Sequence, residues 1–358
     1  MNHVGRTLAG RGVFYALAAA GLFGASTPFA KLLVGRMDPV LLAGLLYLGS
    51  GLGLLAWHCL GNRRRGLSSP EASLRRADLP WLAGAVLFGG VVAPVLLMTG
   101  LASTPGSTAS LLLNLEGVLT ALLAWFVFRE NFDRRIAFGM AAITAGGVLL
   151  SLEGRLEENG LPVGALAIAG ACLAWAIDNN LTRKVSAGDP VQIAMIKGLV
   201  AGTVNLIIAL ARGAELPGTW TVVACGAVGL AGYGISLTLF VLALRNLGTA
   251  RTGAYFSVAP FVGAAISIPL LGDRPTINFF VAATLMGLGI WLHLTERHSH
   301  EHDHEALSHE HSHVHDEHHQ HEHGADDPPG EPHSHSHHHP PMRHTHPHYP
   351  DIHHRHGH

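Results

Sequence analysis

Long runs without a single charged side chain fill the first 296 residues, and they restrict the fold more than any other feature. Asp, Glu, Lys and Arg are absent from 12–30, 39–62, 79–115, 136–152, 159–177, 216–244, 252–272 and 275–295. A helix needs about 20 mostly apolar residues to cross a hydrocarbon core about 30 Å thick. The run 79–115 is too long for one crossing and is divided at Ser103-Thr104-Pro105-Gly106, a turn sequence. Two more spans tolerate one charge each, Glu116 within 106–128 and Lys197 within 190–211. The sequence therefore predicts an all-α integral membrane fold of ten transmembrane helices. They lie near 12–35, 39–60, 79–101, 106–128, 134–152, 162–182, 190–211, 218–244, 251–271 and 276–295.

Composition agrees with this and splits the chain. Charged residues are 13% of the total, about half of what a soluble surface carries. From Arg297 onward, 62 residues hold 24 of the 27 histidines and almost no large apolar side chain. Three regions follow: a five-helix unit at 1–152, a second at 153–296, and a tail at 297–358 with too little apolar material to fold, expected to be disordered. The apolar stretch from Gly12 exceeds a signal-peptide core and reads as an uncleaved first helix. Cys59, Cys172 and Cys225 lie in apolar surroundings and read as packing residues.

Loop charge sets the orientation. With the N-terminus cytoplasmic, the inner segments before Arg297 carry 14 Lys and Arg against 4 in the outer loops, a positive-inside bias. An even number of crossings returns the C-terminus, and the tail, to the cytoplasm. A multi-pass protein of the cell's inner membrane is expected.

The two units resemble each other. At an offset of 151, Phe23–Val40 lies against Ala174–Val191, so that Asp38-Pro39 falls on Asp189-Pro190. At an offset of 143, Leu115–Glu130 lies against Val258–Asp273 and pairs Glu130 with Asp273. Five helices per copy is an odd number, so the second copy enters from the opposite side. Inverted repeats of this kind characterise secondary transporters, whose sites lie near the midplane between the halves.

The segment LEGVLTALLAWFVFREN and its counterpart VAPFVGAAISIPLLGDRP carry a family likeness. Each is an apolar helix ending in an acidic residue, and the second contains Pro260 and Gly272-Asp273. Residues 12–295 resemble the drug/metabolite transporter superfamily, in particular its ten-helix group of two EamA-type repeats. Gly117 stands where that pattern often has proline, and Asp273 replaces the usual glutamate. The resemblance implies transport of a small metabolite or amino-acid-like solute by alternating access, and leaves the substrate open.

Polar groups inside spans normally face protein or a water-filled cavity. The candidate substrate-pathway residues are Lys31, Glu116, Asp178, Asn179 and Lys197, with Asn114, Asn180 and Asn205 nearby. Asp178 and Lys197 sit at similar depth on successive spans and are read either as a structural ion pair or as a gate or substrate carboxylate/ammonium contact that breaks during transport. Thr27 and Lys31 share one helix face, as do Asp178 and Thr182. Glu116, mid-span, is read either as a proton carrier for coupling or as a partner for a helix break. Pro28, Pro94, Pro260 and Pro269 are expected to kink or unwind their helices. Trp125, Trp175, Tyr233 and Tyr255 read as packing or interface anchors.

The tail alternates histidine with other residues in four clusters. Its candidate metal ligands are His298, His300, His302, His309, His311, His313, His315, His333, His335, His337, His344, His346 and His348. Neutral imidazole suits Zn²⁺, Ni²⁺ and Co²⁺, but the spacing defines no tetrahedral site and selects no one metal. No catalytic or nucleotide-binding motif occurs in suitable context, so the chain is not read as an enzyme, needs no cofactor, and must use substrate or ion gradients. The expected partners are the lipid bilayer and a small-molecule or metal-ion substrate, with no nucleic acid; oligomeric state stays open. The alternative reading is a divalent metal (Ni, Co or Zn) exporter whose tail captures or senses the cation. Against it, His58 and His293 lie near span ends, and only Glu116 and Asp178 are well placed as ligands.

Overall fold

A computed structural model describes residues 3–65, 74, 76–128, 134–158, 163–185, 188–247 and 249–294. In the tail it describes 299–304, 307–313, 333–339 and 342–347. Ten helices form the body: α1 (His3–Val34), α2 (Pro39–Arg65), α3 (79–103), α4 (106–128), α5 (Arg134–Glu158), α6 (Val163–Val185), α7 (Pro190–Ala211), α8 (219–247), α9 (249–271) and α10 (Ile277–Leu294). Seven contain spans long and apolar enough to cross a membrane by length and composition. Three more, in α5, α9 and α10, have shorter apolar segments at Ala137–Ser151, Ala259–Leu271 and Ile277–Leu292.

Four of these helices are interrupted, and the interruptions repeat between the halves. In α3 and α8 a stretch of wider π-helix, Val86–Val92 and Leu230–Ile235, separates two α-helical segments. In α4 the first segment ends at Leu112 and the second starts at Leu115; in α9 the corresponding ends are Phe256 and Ala259. The α2 and α7 starts match as well. The carboxylate of Asp38 accepts from the amides of Val40 and Leu41 at 2.9 and 3.1 Å, and that of Asp189 from Val191 at 2.8 Å. This explains the repeated Asp-Pro: the acid caps the helix and proline follows at its first turn. Proline plays the same part at Pro94 and Pro260, which begin a helical segment after an interruption; Pro28 and Pro269 lie inside continuous helix.

Packing follows the same pseudo-symmetry. The most extensive interface joins α2 to α7, and α5 lies against α10; α1 contacts α8 and α9 as α6 contacts α3 and α4. Backbones meet closely in the α2–α7 interface, where a Cβ added at Gly198 would lie 2.5 Å from the Gly51 nitrogen. With lipid as apolar as leucine, such close approach is a principal source of helix association. Leu41, Leu42 and Leu46 of α2, Leu97 and Met98 of α3 and Ile193 of α7 are fully buried, whereas Trp57, Phe138, Trp220 and Ile277 face outward. So many large apolar side chains turned outward suit a lipid-facing surface.

In the tail, β1 (Ser299–His304) pairs antiparallel with β4 (Met342–Pro347), and β2 (Leu307–His313) with β3 (His333–His339). The composition leaves this region without a core, and the described segments are two separate two-stranded ladders. Such ladders are marginal in water without a packed apolar face. His298, His315 and His348 lie outside the described residues.

Candidate functional site

Between the two halves, near the middle of most of the helices involved, lies a cavity of about 90 Å³. It is bordered by residues of α1, α2, α4, α6, α7, α8 and α9, including Glu116, Asp178, Asn179 and Lys197. Four of the five pathway residues read from the sequence therefore meet at one place.

The geometry there is tightly specified. The Lys197 ammonium donates to both Asp178 carboxylate oxygens at 2.7 Å and to the Thr182 hydroxyl at 3.3 Å, while Thr182 donates to Asp178 at 2.8 Å. Both charged groups are buried. A lysine away from water needs its positive charge matched and its protons accepted, and this arrangement does both. Next to the pair, Asn179 donates to Glu116 Oε1 at 2.8 Å. Asn179 follows Asp178 on α6, so one helix serves both acids.

The π-helical stretch of α3 lies behind these groups and holds several of the cavity's side chains in place. Widening a turn leaves carbonyls without their usual partners, and side chains take them up. Tyr47 and Trp175 both donate to the Gly89 carbonyl, at 2.7 and 3.1 Å, and Asn205 donates to Gly90 at 3.1 Å. A side chain at Gly89 would fall on the Asp178 carboxylate, so glycine there is what lets α3 approach α6.

Six aromatic rings complete the wall. Phe23 meets Trp175 at 5.8 Å, Tyr233 at 6.0 Å and Phe256 at 5.5 Å between ring centroids; Tyr47 meets Tyr233 at 5.2 Å and Phe240 meets Phe256 at 4.8 Å. All six border the cavity. The sequence reading of Trp175 and Tyr233 as anchors missed this, and it passed over Phe23, Tyr47, Phe240 and Phe256. Two signals were available: Trp175 lies three residues before Asp178 on one helix face, and Tyr233 is flanked by glycines at 232 and 234.

Lys31 is elsewhere. It donates to the carbonyl of Leu101 at the end of α3, with the Asp273 carboxylate as an attractive charge in its surroundings. Asp273 accepts from the Ser107 amide at 2.7 Å, just inside α4. The Gly272-Asp273 motif thus has a structural role: Gly272, at φ 71°, turns the chain at the end of α9, and Asp273 then holds the start of α4. Its repeat counterpart Glu130 is outside the described residues. Asn114 bonds to Leu111 at 3.0 Å and Asn180 to Ala176 at 2.8 Å, so both satisfy local carbonyls. Among the described residues, no three or more His, Cys, Asp or Glu side chains gather as a metal site.

Ten helices in two similar units, seven of them long and apolar enough to cross a membrane, with a polar and aromatic cavity between the units, fit a multi-pass membrane transporter. The EamA-like transporter family matches twice, over residues 10–152 and 162–295, and the chain belongs to that family. Relatives fit. An uncharacterised transporter of Methanothermobacter thermautotrophicus is 30% identical over 290 residues, covering 77% of this chain and 84% of its own. The uncharacterised inner membrane transporter YedA of Escherichia coli K12 is 26% identical over 272 residues, 73% and 83% of the two chains. A solved crystal structure shares the fold at a TM-score of 0.58 and 19% identity, covering 78% of this chain and 94% of its own.

Proposed function

We propose that the chain moves a small organic solute across the inner membrane by alternating access, with the cavity between the halves as its binding site. The observation that carries this reading is the meeting of Glu116, Asp178, Asn179 and Lys197 at one cavity bordered by both repeats. The Asp178–Lys197 pair is the gate: it links α6 to α7 at the cavity edge and must loosen for the halves to rearrange. Glu116 is the group that takes and releases a proton during the cycle. Both termini are cytoplasmic in this reading, which the positive-inside bias of the loops supports. Comparing small molecules inside and outside cells that express the wild-type chain or Asp178→Asn tests the reading. A solute whose distribution changes only with the wild-type chain is the substrate; no such solute in either direction overturns it.

The tail binds Zn²⁺, Ni²⁺ or Co²⁺ through its alternating histidines. The ladder register favours this, since it sets His300 opposite His346, His302 opposite His344, and His309, His311 and His313 opposite His337, His335 and His333. Metal export by the body is the second reading, and the tail is what favours it. Among the described residues that line it, the cavity offers a metal the carboxylates of Glu116 and Asp178, and Asp178 is already engaged by Lys197. Cellular metal in strains expressing the full chain, a chain ending at Glu296 and Asp178→Asn separates the two. Metal lowered by the full chain but not by Asp178→Asn supports export. A change that follows the tail alone supports buffering.

A further inference from the structure

Resting on the reading of the cavity as the substrate site, we infer that the substrate is a small organic monocation, an amine or quaternary ammonium compound, held between Glu116 and the aromatic wall. Charge bookkeeping at the site leads to this class. Among its described lining residues the ionisable carboxylates are Glu116 and Asp178, and the one basic group is Lys197. Lys197 is committed to both oxygens of Asp178 and to Thr182, so its three protons are all accounted for. A substrate carboxylate would meet no uncommitted positive charge. Glu116 is different, because its hydrogen bond from Asn179 engages Oε1 only.

The wall selects in the same sense. Ring faces carry negative electrostatic potential and attract a cation lying over them within about 6 Å, most strongly when water is excluded. Phe23, Tyr47, Trp175, Tyr233, Phe240 and Phe256 come from five helices of both halves, so a cation among them touches the elements that must move. Tyr47 and Trp175 have spent their polar hydrogens on the Gly89 carbonyl, which leaves them to act through their rings. Size bounds the solute as well. At about 10–15 Å³ per water-sized centre, 90 Å³ holds about six to nine such centres. Simple monoamines fit that space.

Binding of radiolabelled 2-phenylethylammonium to the purified full chain in detergent, with 2-phenylethanol and phenylacetate as competitors, tests the class. The expected result is saturable cation binding, with both competitors at least tenfold weaker. Glu116→Gln should lower cation affinity at least tenfold while leaving the weak displacement by 2-phenylethanol in place, and Trp175→Leu should lower it with Glu116 intact. Thermal unfolding of each variant shows whether it is folded, and Glu116→Asp, which keeps the charge, should restore part of the affinity. Equal or tighter binding of the alcohol or the acid, no binding of the cation, or cation binding indifferent to Glu116→Gln overturns the inference. The transport reading fails separately, by labelling of a cavity cysteine from one side of the membrane only, whatever the ligand class proves to be.

Discussion

Asp178 and Lys197 each depend on the other more than on anything else in the molecule. Removing one partner of a buried pair leaves an uncompensated charge and costs about 3–5 kcal/mol, whereas replacing both with apolar groups is often neutral. Asp178→Asn should therefore lower the unfolding temperature clearly, and adding Lys197→Met should restore most of it while transport stays lost. A purely structural pair would regain transport in the double variant. The charged half of this site was legible in the sequence because a lone charge inside an apolar span is costly and therefore conspicuous. Rings are not conspicuous there: Phe23 and Tyr47 look like any other bulky apolar residue until the tertiary fold turns them to one cavity. Lys31 shows the converse, a half-buried charge whose partners are carbonyls at the end of α3.

At the level of elements, the repeat is written in caps and interruptions more than in the helices between them. Asp38-Pro39 and Asp189-Pro190 could be paired from sequence because both start a helix by the same chemistry. Asp189→Ala and Asp38→Ala should each cost about 1 kcal/mol in thermal unfolding. The π-helical stretches at Val86–Val92 and Leu230–Ile235 were not legible, since a widened turn has no residue signature of its own. At Val86–Val92 the physical cause lies in packing: Gly89 must clear Asp178, and its carbonyl must reach Tyr47 and Trp175. The α2–α7 interface is equally exacting. Gly198→Val forces the backbones of the two helices apart and should destabilise by about 1–3 kcal/mol, read as a lower melting temperature with lost transport.

Across the whole molecule, ten helices could be read from apolar length once the turn at Ser103–Gly106 and the single charges Glu116 and Lys197 were allowed for, because the bilayer fixes the length of a crossing. How the ten pack could not, since lipid gives each helix an apolar surround on every side and leaves interfaces to small residues and shape. The tail contributes none of this core. A chain ending at Glu296 should keep the thermal unfolding profile of the full chain in detergent, while losing the Ni²⁺ or Zn²⁺ bound per molecule at neutral pH. Lowering the pH to about 5 should release metal from the full chain, as imidazoles with an ordinary pKa of about 6.5 gain protons and cease to be ligands.

The most direct test of alternating access places one cysteine at Ala194, which borders the cavity on α7, in a chain with Cys59, Cys172 and Cys225 replaced by alanine. A small charged thiol reagent is then applied from either side of sealed, oriented vesicles. Labelling from each side in turn, with substrate shifting the balance between the two, is the predicted result. Labelling from one side only, unchanged by any solute, would contradict a cavity that opens to both.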